Sequence, residues 1–509
     1  MAPDRQLYHK VELGQVLLAA GSGALLFLAF PRPALYPLAW VALVPLLVAI
    51  RRARPAASVL LGLVSGFVFF SVLLYWVAIF GYAPWLLLAV AEGLSVAVFA
   101  LLASFAYRRG RFDVLLIPSL WTAIEWVRSL GSYGFTWGGL AYSQAPWPDI
   151  IQLASITGPW GVTFLIVFVN AALAGLVSRR DRRSLRWTAA AGTMVYAAWL
   201  GGVLSQAIWA ARVSDMPAEK VAMVQGGIEM TWRSSGLAER IYQTYWPMTE
   251  TITGKPDFIV WPESALPDDI ETSPVLREEM SSLARRMGAY MLVGGMHEVP
   301  DERAPGGRRE YNGAYLISPS GRITGAYYKV HLVPFGEFVP GRRWIPFLDR
   351  YPILDADRYP GPGYNTLHTQ HGDIGVAICF ESIFPQIARR LARDGAQMLF
   401  IITNDSWFKR TAAAAQHHEF AVFRAVENRR YVARNATTGI TSLITPLGRV
   451  TGTADLGARQ VVSGLVRMIP NRTLYTRYGD WFAGLCAAFG LIGLLFCFIL
   501  PYTPTGHPR

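Results

Sequence analysis

Residues 372–382 read GDIGVAICFES. Between a leading Gly-Asp and a closing Glu-Ser lies a short run that is apolar at consecutive positions, the form of a strand buried on both faces. Four other segments share it: VAMVQGGI (221–228), DFIVWPES (257–264), YMLVGGM (290–296) and QMLFIITND (397–405). Each is bounded by Gly, Pro or Asp and rich in Val, Ile or Met, as strands are. Amphipathic stretches at 237–252, 275–287, 383–394 and 411–430 alternate with them and predict helices. Two further pieces, YNGAYLISPSGRITGAYYK (311–329) and NATTGITSLITPLGRVTG (435–452), place Pro-Ser-Gly or Pro-Leu-Gly between strand-like arms and predict hairpins. The sum is a layered α/β domain of about 250 residues, large enough to bury its own core.

Outward from this domain the composition changes. The 509-residue chain is 52% hydrophobic and only 16% charged, with a net charge of +12, whereas a soluble protein carries about 25% charged residues. Windows of about 20 residues, the length that crosses a hydrocarbon layer as helix, find apolar runs at 13–30, 34–50, 57–80, 85–107, 112–130, 160–177 and 187–207, and an eighth at 481–500. The predicted organisation is a membrane part with seven helices over 1–207, the α/β domain over 208–478, and an eighth helix with a tail over 479–509. Alternate loops hold Arg51, Arg52 and Arg54, then Arg108, Arg109 and Arg111, then Arg179, Arg180, Arg182, Arg183 and Arg186, while the opposite set offers only Arg32. Because cytoplasmic loops keep the positive residues, both termini are expected inside and the α/β domain outside, in the periplasm of a bacterium.

The charge divides accordingly. Residues 208–478 hold 31 Lys and Arg against 27 Asp and Glu, a net of +4, and the remainder holds 16 against 8, a net of +8. The basic balance therefore belongs mainly to membrane loops, and no nucleic-acid partner is expected. Within the fifth run Glu125 and Arg128, three residues apart, share a helix face and are expected to pair. The almost uncharged loop 131–159 carries Trp137, Tyr142 and Trp147, which suit the headgroup level of a bilayer. Cys379, Cys486 and Cys497, an odd set with two members in the last apolar run, give no disulfide framework.

Open α/β sheets keep their sites at strand ends, and there Glu263 follows FIVWP, Lys329 follows GAYY and Cys379 follows GVAI. Each alone has an ordinary reading, and a lone cysteine is more often a small core residue. Together, in the contexts WPESALP, YYKVHLVPFGE and ICFES, they resemble the Glu-Lys-Cys triad of the nitrilase superfamily. With the apolar frame around it, the whole chain resembles the apolipoprotein N-acyltransferase family. The resemblance implies an eight-helix membrane domain with a nitrilase-like α-β-β-α sandwich between the seventh and eighth helices. It implies Glu263 as general base, Lys329 as oxyanion stabiliser and Cys379 as nucleophile, with the Phe380 N–H as second oxyanion donor. Glu337, Glu381 and Trp232 match further functional positions, Glu381 with a loop-bonding role equally open. Phe380 stands where relatives often have tyrosine, so the ring is kept and the hydroxyl is not.

These types suit the chemistry. A thiol is mostly protonated at neutral pH and needs a carboxylate to take its proton, and a fixed ammonium stabilises both thiolate and tetrahedral oxyanion. The implied reaction is transfer of a phospholipid acyl chain, with phosphatidylethanolamine as the expected donor, through a Cys379 thioester to the α-amine of the diacylglyceryl-cysteine of an apolipoprotein. No metal or diffusible cofactor is implied. A membrane-tethered amidase using water in place of the amine is the alternative, and a transporter or receptor with a dead domain is disfavoured by the intact triad. The Pro-rich stretch 335–365, with Trp344 and Phe347 beside Arg342 and Arg343, is expected to form an interfacial lid. His417 and His418 are adjacent, so they diverge on a helix and do not make a metal pair. No GxxxxGK loop or G-x-S-x-G elbow is present. Asn404 and Asp405 end a strand and are expected to support the site.

Overall fold

The computed structural model describes residues 11–109, 113–229, 236–302, 307–341 and 357–499. Trp232, Trp344, Phe347 and the middle of the expected lid lie outside the described residues. The chain divides into a helical unit (Met1–Leu130, Gly134–Leu204 and Asp480–Arg509) and an α/β unit (Gly131–Tyr133 and Ser205–Gly479).

The helical unit contains α1 (Leu13–Leu28), α2 (Val44–Ile50), α3 (Pro55–Leu73), α4 (Tyr82–Arg109), α5 (Asp113–Arg128), the short α6 (Pro148–Ile151) and α7 (Ala154–Thr157), α8 (Pro159–Arg179), most of α9 (Arg182–Ser214) and α15 (Trp481–Ile499). By length and composition α3, α4, α8 and α9 can each cross a membrane, and Leu13–Leu28, Tyr36–Ile50 and Trp481–Cys497 are apolar but shorter. The run 34–50 is not one helix: a 3-10 turn, Tyr36–Trp40, precedes the seven-residue α2, which spans only about 10 Å. Pro37 and Pro45 start these two pieces. They supply no backbone N–H, so an apolar stretch containing them breaks into short helices. Close approach of α3 and α4 depends on glycine, since a Cβ on Gly66 would lie 2.7 Å from the Gly93 carbonyl oxygen.

The expected Glu125–Arg128 pair is not formed. Arg128 instead pairs with Glu92 of α4 at 2.6 Å and donates to the Trp137 carbonyl at 2.9 Å. Glu125 accepts from Trp121 Nε1 (2.7 Å), the Leu140 N–H (2.9 Å) and Thr163 Oγ1 (2.8 Å). For Arg128, α4 and the loop carbonyl thus supply better-placed partners than Glu125, whose buried carboxyl is satisfied by its own helix, Leu140 and Thr163.

The α/β unit holds two six-stranded sheets. The first, in the order β12-β1-β2-β3-β4-β5, uses β12 (Gln460–Val466), β1 (Glu219–Gln225), β2 (Phe258–Val260), β3 (Tyr290–Pro300), β4 (Arg308–Ile317) and β5 (Ile323–Tyr328). The second, in the order β11-β10-β9-β8-β7-β6, uses β11 (Val450–Ala454), β10 (Thr441–Ile444), β9 (Val432–Ala436), β8 (Met398–Thr403), β7 (Gly372–Ile378) and β6 (Thr366–Thr369). Parallel triplets β1-β2-β3 and β7-β8-β9 form the two centres. Alternate side chains split between layers, as the period of two requires. Val221, Met223, Phe258 and Val260 meet Ile374, Val376, Met398 and Phe400 between the sheets, whereas Val224, Ile259 and Met291 face the outer helices α10 (Leu237–Glu250) and α11 (Pro274–Met287). On the other side α12 (Pro385–Arg393) packs on β7 and β8, and α13 (Ala413–Asn428) on β9 and β10. The short α14 (Leu474–Tyr478) closes the unit. The result is an α-β-β-α sandwich, two sheets between two helical layers.

Candidate active site

The parallel strands deliver the site. β2 ends just before Glu263, β7 just before Cys379 and β8 just before Asn404, while Lys329 leaves the end of β5. Cys379 opens a 3-10 turn, Cys379–Ile383, and takes φ +54°. That left-handed backbone is uncommon for a residue with a Cβ and lifts the side chain off the strand. Ser264, beside Glu263, also has positive φ (+56°).

Glu263 is buried and fixed at both oxygens. Oε1 accepts from Asn312 Nδ2 at 2.6 Å and Oε2 from the Asn404 N–H at 2.6 Å. Lys329 Nζ stands 3.9 Å from Oε1 and 2.9 Å from Glu337 Oε2. Glu337 also accepts from Arg358 Nη1 (2.8 Å), Asn312 Nδ2 (3.3 Å) and the Val333 N–H (2.9 Å). Two carboxylates therefore share two cations and one amide in a buried network.

The charges set the protonation states. Burial opposes the Lys329 ammonium, but Glu337, Cys379 and Glu263 outweigh it and hold the group above its ordinary value. Burial would raise Glu337, yet Lys329 and Arg358 bring it down to about 2. Burial and then Glu263 push the Cys379 thiol up, with Lys329 opposing. At rest Cys379 is a thiol, with the charged Lys329 ammonium at hand.

Glu381 is fully buried. Its Oε1 accepts from Tyr327 Oη (2.8 Å) and the N–H groups of Val330 (2.9 Å) and His331 (3.1 Å), and Oε2 from the Ile378 N–H (2.8 Å). It ties the segment after Lys329 to the strand before Cys379. Phe380 follows Cys379, its ring 5.3 Å from Phe384 and 6.1 Å from His331. Sequence reasoning did not find Asn312, Arg358 or His417. Asn312 sits mid-strand in β4, and only the pairing of β3 with β2 and β4 brings it to Glu263. Among the described residues Glu219, Asp257 and His371 bring possible metal-ligating atoms within 4.8 Å of one another. They lie at the opposite ends of β1, β2 and β7 from the site, with His371 Nδ1 engaged by Glu219 at 2.9 Å.

Residues 22–172 match the family described as apolipoprotein N-acyltransferase N-terminal domain, and residues 220–468 match carbon-nitrogen hydrolase. The chain is 36% identical to the apolipoprotein N-acyltransferase of Geobacter metallireducens, covering 93% of each sequence. It is 34% identical to that of Azotobacter vinelandii, covering 92% of each. Of solved structures, Saccharomyces cerevisiae Nit3, a member of branch 10 of the nitrilase superfamily, matches at 21% identity with a TM-score of 0.38, over 49% of this chain and 90% of that one.

Proposed function

The chain belongs to the apolipoprotein N-acyltransferase family, and on that premise we propose that Cys379 carries the acyl chain between a phospholipid and the apolipoprotein amine. The protein is a bacterial membrane acyltransferase with lipid and lipoprotein substrates. In the first half-reaction Glu263 takes the Sγ proton and the thiolate attacks an ester carbonyl. Lys329 and the Phe380 N–H receive the oxyanion. The ester C–O bond then breaks, and the leaving lysophospholipid oxygen takes the proton from Glu263. In the second, the acceptor amine loses its proton to Glu263 as it attacks the thioester, and the expelled thiolate takes that proton back. Phosphatidylethanolamine is the expected donor, and the catalytic unit faces the periplasm with both termini inside.

The observation that supports this reading is a buried carboxylate anchored at both oxygens, with Lys329 Nζ 3.9 Å from it, at the strand ends that also carry Cys379. A base whose geometry is fixed before substrate arrives suits proton transfer. The test uses the full chain in liposomes containing acyl-labelled phosphatidylethanolamine and a diacylglyceryl-cysteine peptide. Label is expected in the N-acyl peptide, lost in Glu263→Gln and Cys379→Ala. Label released as free fatty acid, with the peptide unmodified, would overturn the transfer reading in favour of hydrolysis.

A further inference from the structure

The end of β8 serves both halves of the site. The Asn404 N–H holds Glu263, and the next residue, Asp405, begins a chain leading to Cys379. Asp405 Oδ1 accepts from Thr403 Oγ1 at 2.8 Å and lies 3.1 Å from His417 Nδ1, while Oδ2 accepts from Arg434 Nη2 at 2.8 Å. Across the imidazole, His417 Nε2 lies 3.2 Å from the Cys379 carbonyl oxygen and 2.9 Å from Ser382 Oγ, which donates to the same carbonyl at 2.7 Å. Asp405, His417, Ser382 and Arg434 are each 1% exposed or less, so water does not compete for these bonds. A Cβ on Gly439 would stand 2.0 Å from Asp405 Oδ2, so the backbone there gives way to the carboxylate.

A carbonyl oxygen only accepts, so His417 Nε2 must carry a hydrogen. The carbonyl it grips belongs to the same planar trans peptide as the Phe380 N–H, and in such a peptide C=O and N–H point in opposite directions. Holding the oxygen from behind therefore aims the N–H forward. The need for a clamp is visible in the backbone: φ of +54° at Cys379 is a strained conformation that surrounding contacts must enforce.

We propose that His417, backed by Asp405, is a positioning residue that aims the Phe380 N–H at the oxyanion of the acylation step. This rests on the reading of Cys379 as acyl carrier and of Phe380 N–H as oxyanion donor. It distinguishes two reactions of one thiol. Acylation passes through a tetrahedral oxyanion and needs the N–H, whereas alkylation by iodoacetamide has no oxyanion and does not.

The test measures both on full-length wild type, His417→Leu and His417→Gln, reading acyl-enzyme formation from labelled phospholipid and alkylation of the Cys379 peptide by mass spectrometry. His417→Leu is expected to slow acylation by about 30-fold, below the 100-fold and more seen when an oxyanion donor is removed outright, with alkylation unchanged. His417→Gln, which can return a donor to the carbonyl, is expected to recover most of the rate. Acylation of His417→Leu at the wild-type rate overturns the positioning role, as does an equal fall in both reactions without rescue by Gln. Wild type that makes product with no acyl group on Cys379 overturns the acyl-carrier reading itself, and this proposal with it.

Discussion

Glu337 shows how the site's charges bear on stability. Lys329 and Arg358 overcome burial and bring its carboxyl from an ordinary 4.5 down to about 2. A depressed carboxyl stabilises the fold fully above its unfolded value and loses that contribution as pH falls through the folded one. The shift corresponds to about 3 kcal/mol. Glu337→Gln is therefore expected to lower the unfolding free energy of the detergent-solubilised protein by about that amount at pH 7, with the gap narrowing from pH 4.5 toward 2. A gap independent of pH would contradict the account. Asn312 offers a second test, because it donates to Glu263 and Glu337 together. Asn312→Asp puts a third carboxylate between them and is expected to cut the acylation rate by about 100-fold or more, the scale of general-base catalysis. The candidate residues Glu263, Lys329 and Cys379 could be named from the sequence because each stands in a local motif. Asn312, Arg358 and His417 were not, because strand order and helix packing, rather than neighbouring residues, bring them in.

At the scale of elements, β3 is the spacer that lets this happen. It lies between β2 and β4, and a Cβ on its Gly294 would approach the Pro262 carbonyl oxygen to 2.4 Å and Glu263 Cα to 2.7 Å. Gly294→Ala is expected to displace Glu263 and reduce acylation at least tenfold while far-ultraviolet circular dichroism stays unchanged. Full activity would show that the base tolerates movement. The sheets are also joined by polar pins: Asn435 Nδ2 on β9 donates to the carbonyls of Val224 (3.2 Å) and Val260 (2.7 Å) in the facing sheet. The strands β1, β2, β3, β7 and β8 and the helices α10 to α13 were legible from apolar runs and amphipathic period. β9, β6 and β12 were missed for different reasons: β9 reads VARNA, whose buried Arg434 and Asn435 interrupt any apolar run. TLHT is too short to display a period, and in QVVSGLV only Val462 and Val466 are buried. The run 34–50 misled because hydropathy records compatibility with lipid and not the continuity of a helix.

At the scale of the whole molecule, the arginine-rich loops lead to the proposed orientation. In spheroplasts a membrane-impermeant maleimide is expected to label Tyr133→Cys at once and Arg52→Cys only after lysis, in a background where Cys486 and Cys497 are replaced by Ala and the Cys379 peptide is followed separately. Equal labelling of the two before lysis would contradict the orientation. The division into a helical unit and a nitrilase-like unit matches the proposed division of labour, in which one meets lipid and the other holds the Glu263, Lys329 and Cys379 chemistry. The most direct test of that chemistry is the mass of the Cys379 peptide after the protein is mixed with phospholipid in the absence of acceptor. The account predicts one added acyl chain, removed by neutral hydroxylamine and absent in Glu263→Gln. An unmodified Cys379 in protein that goes on to acylate the peptide would contradict it.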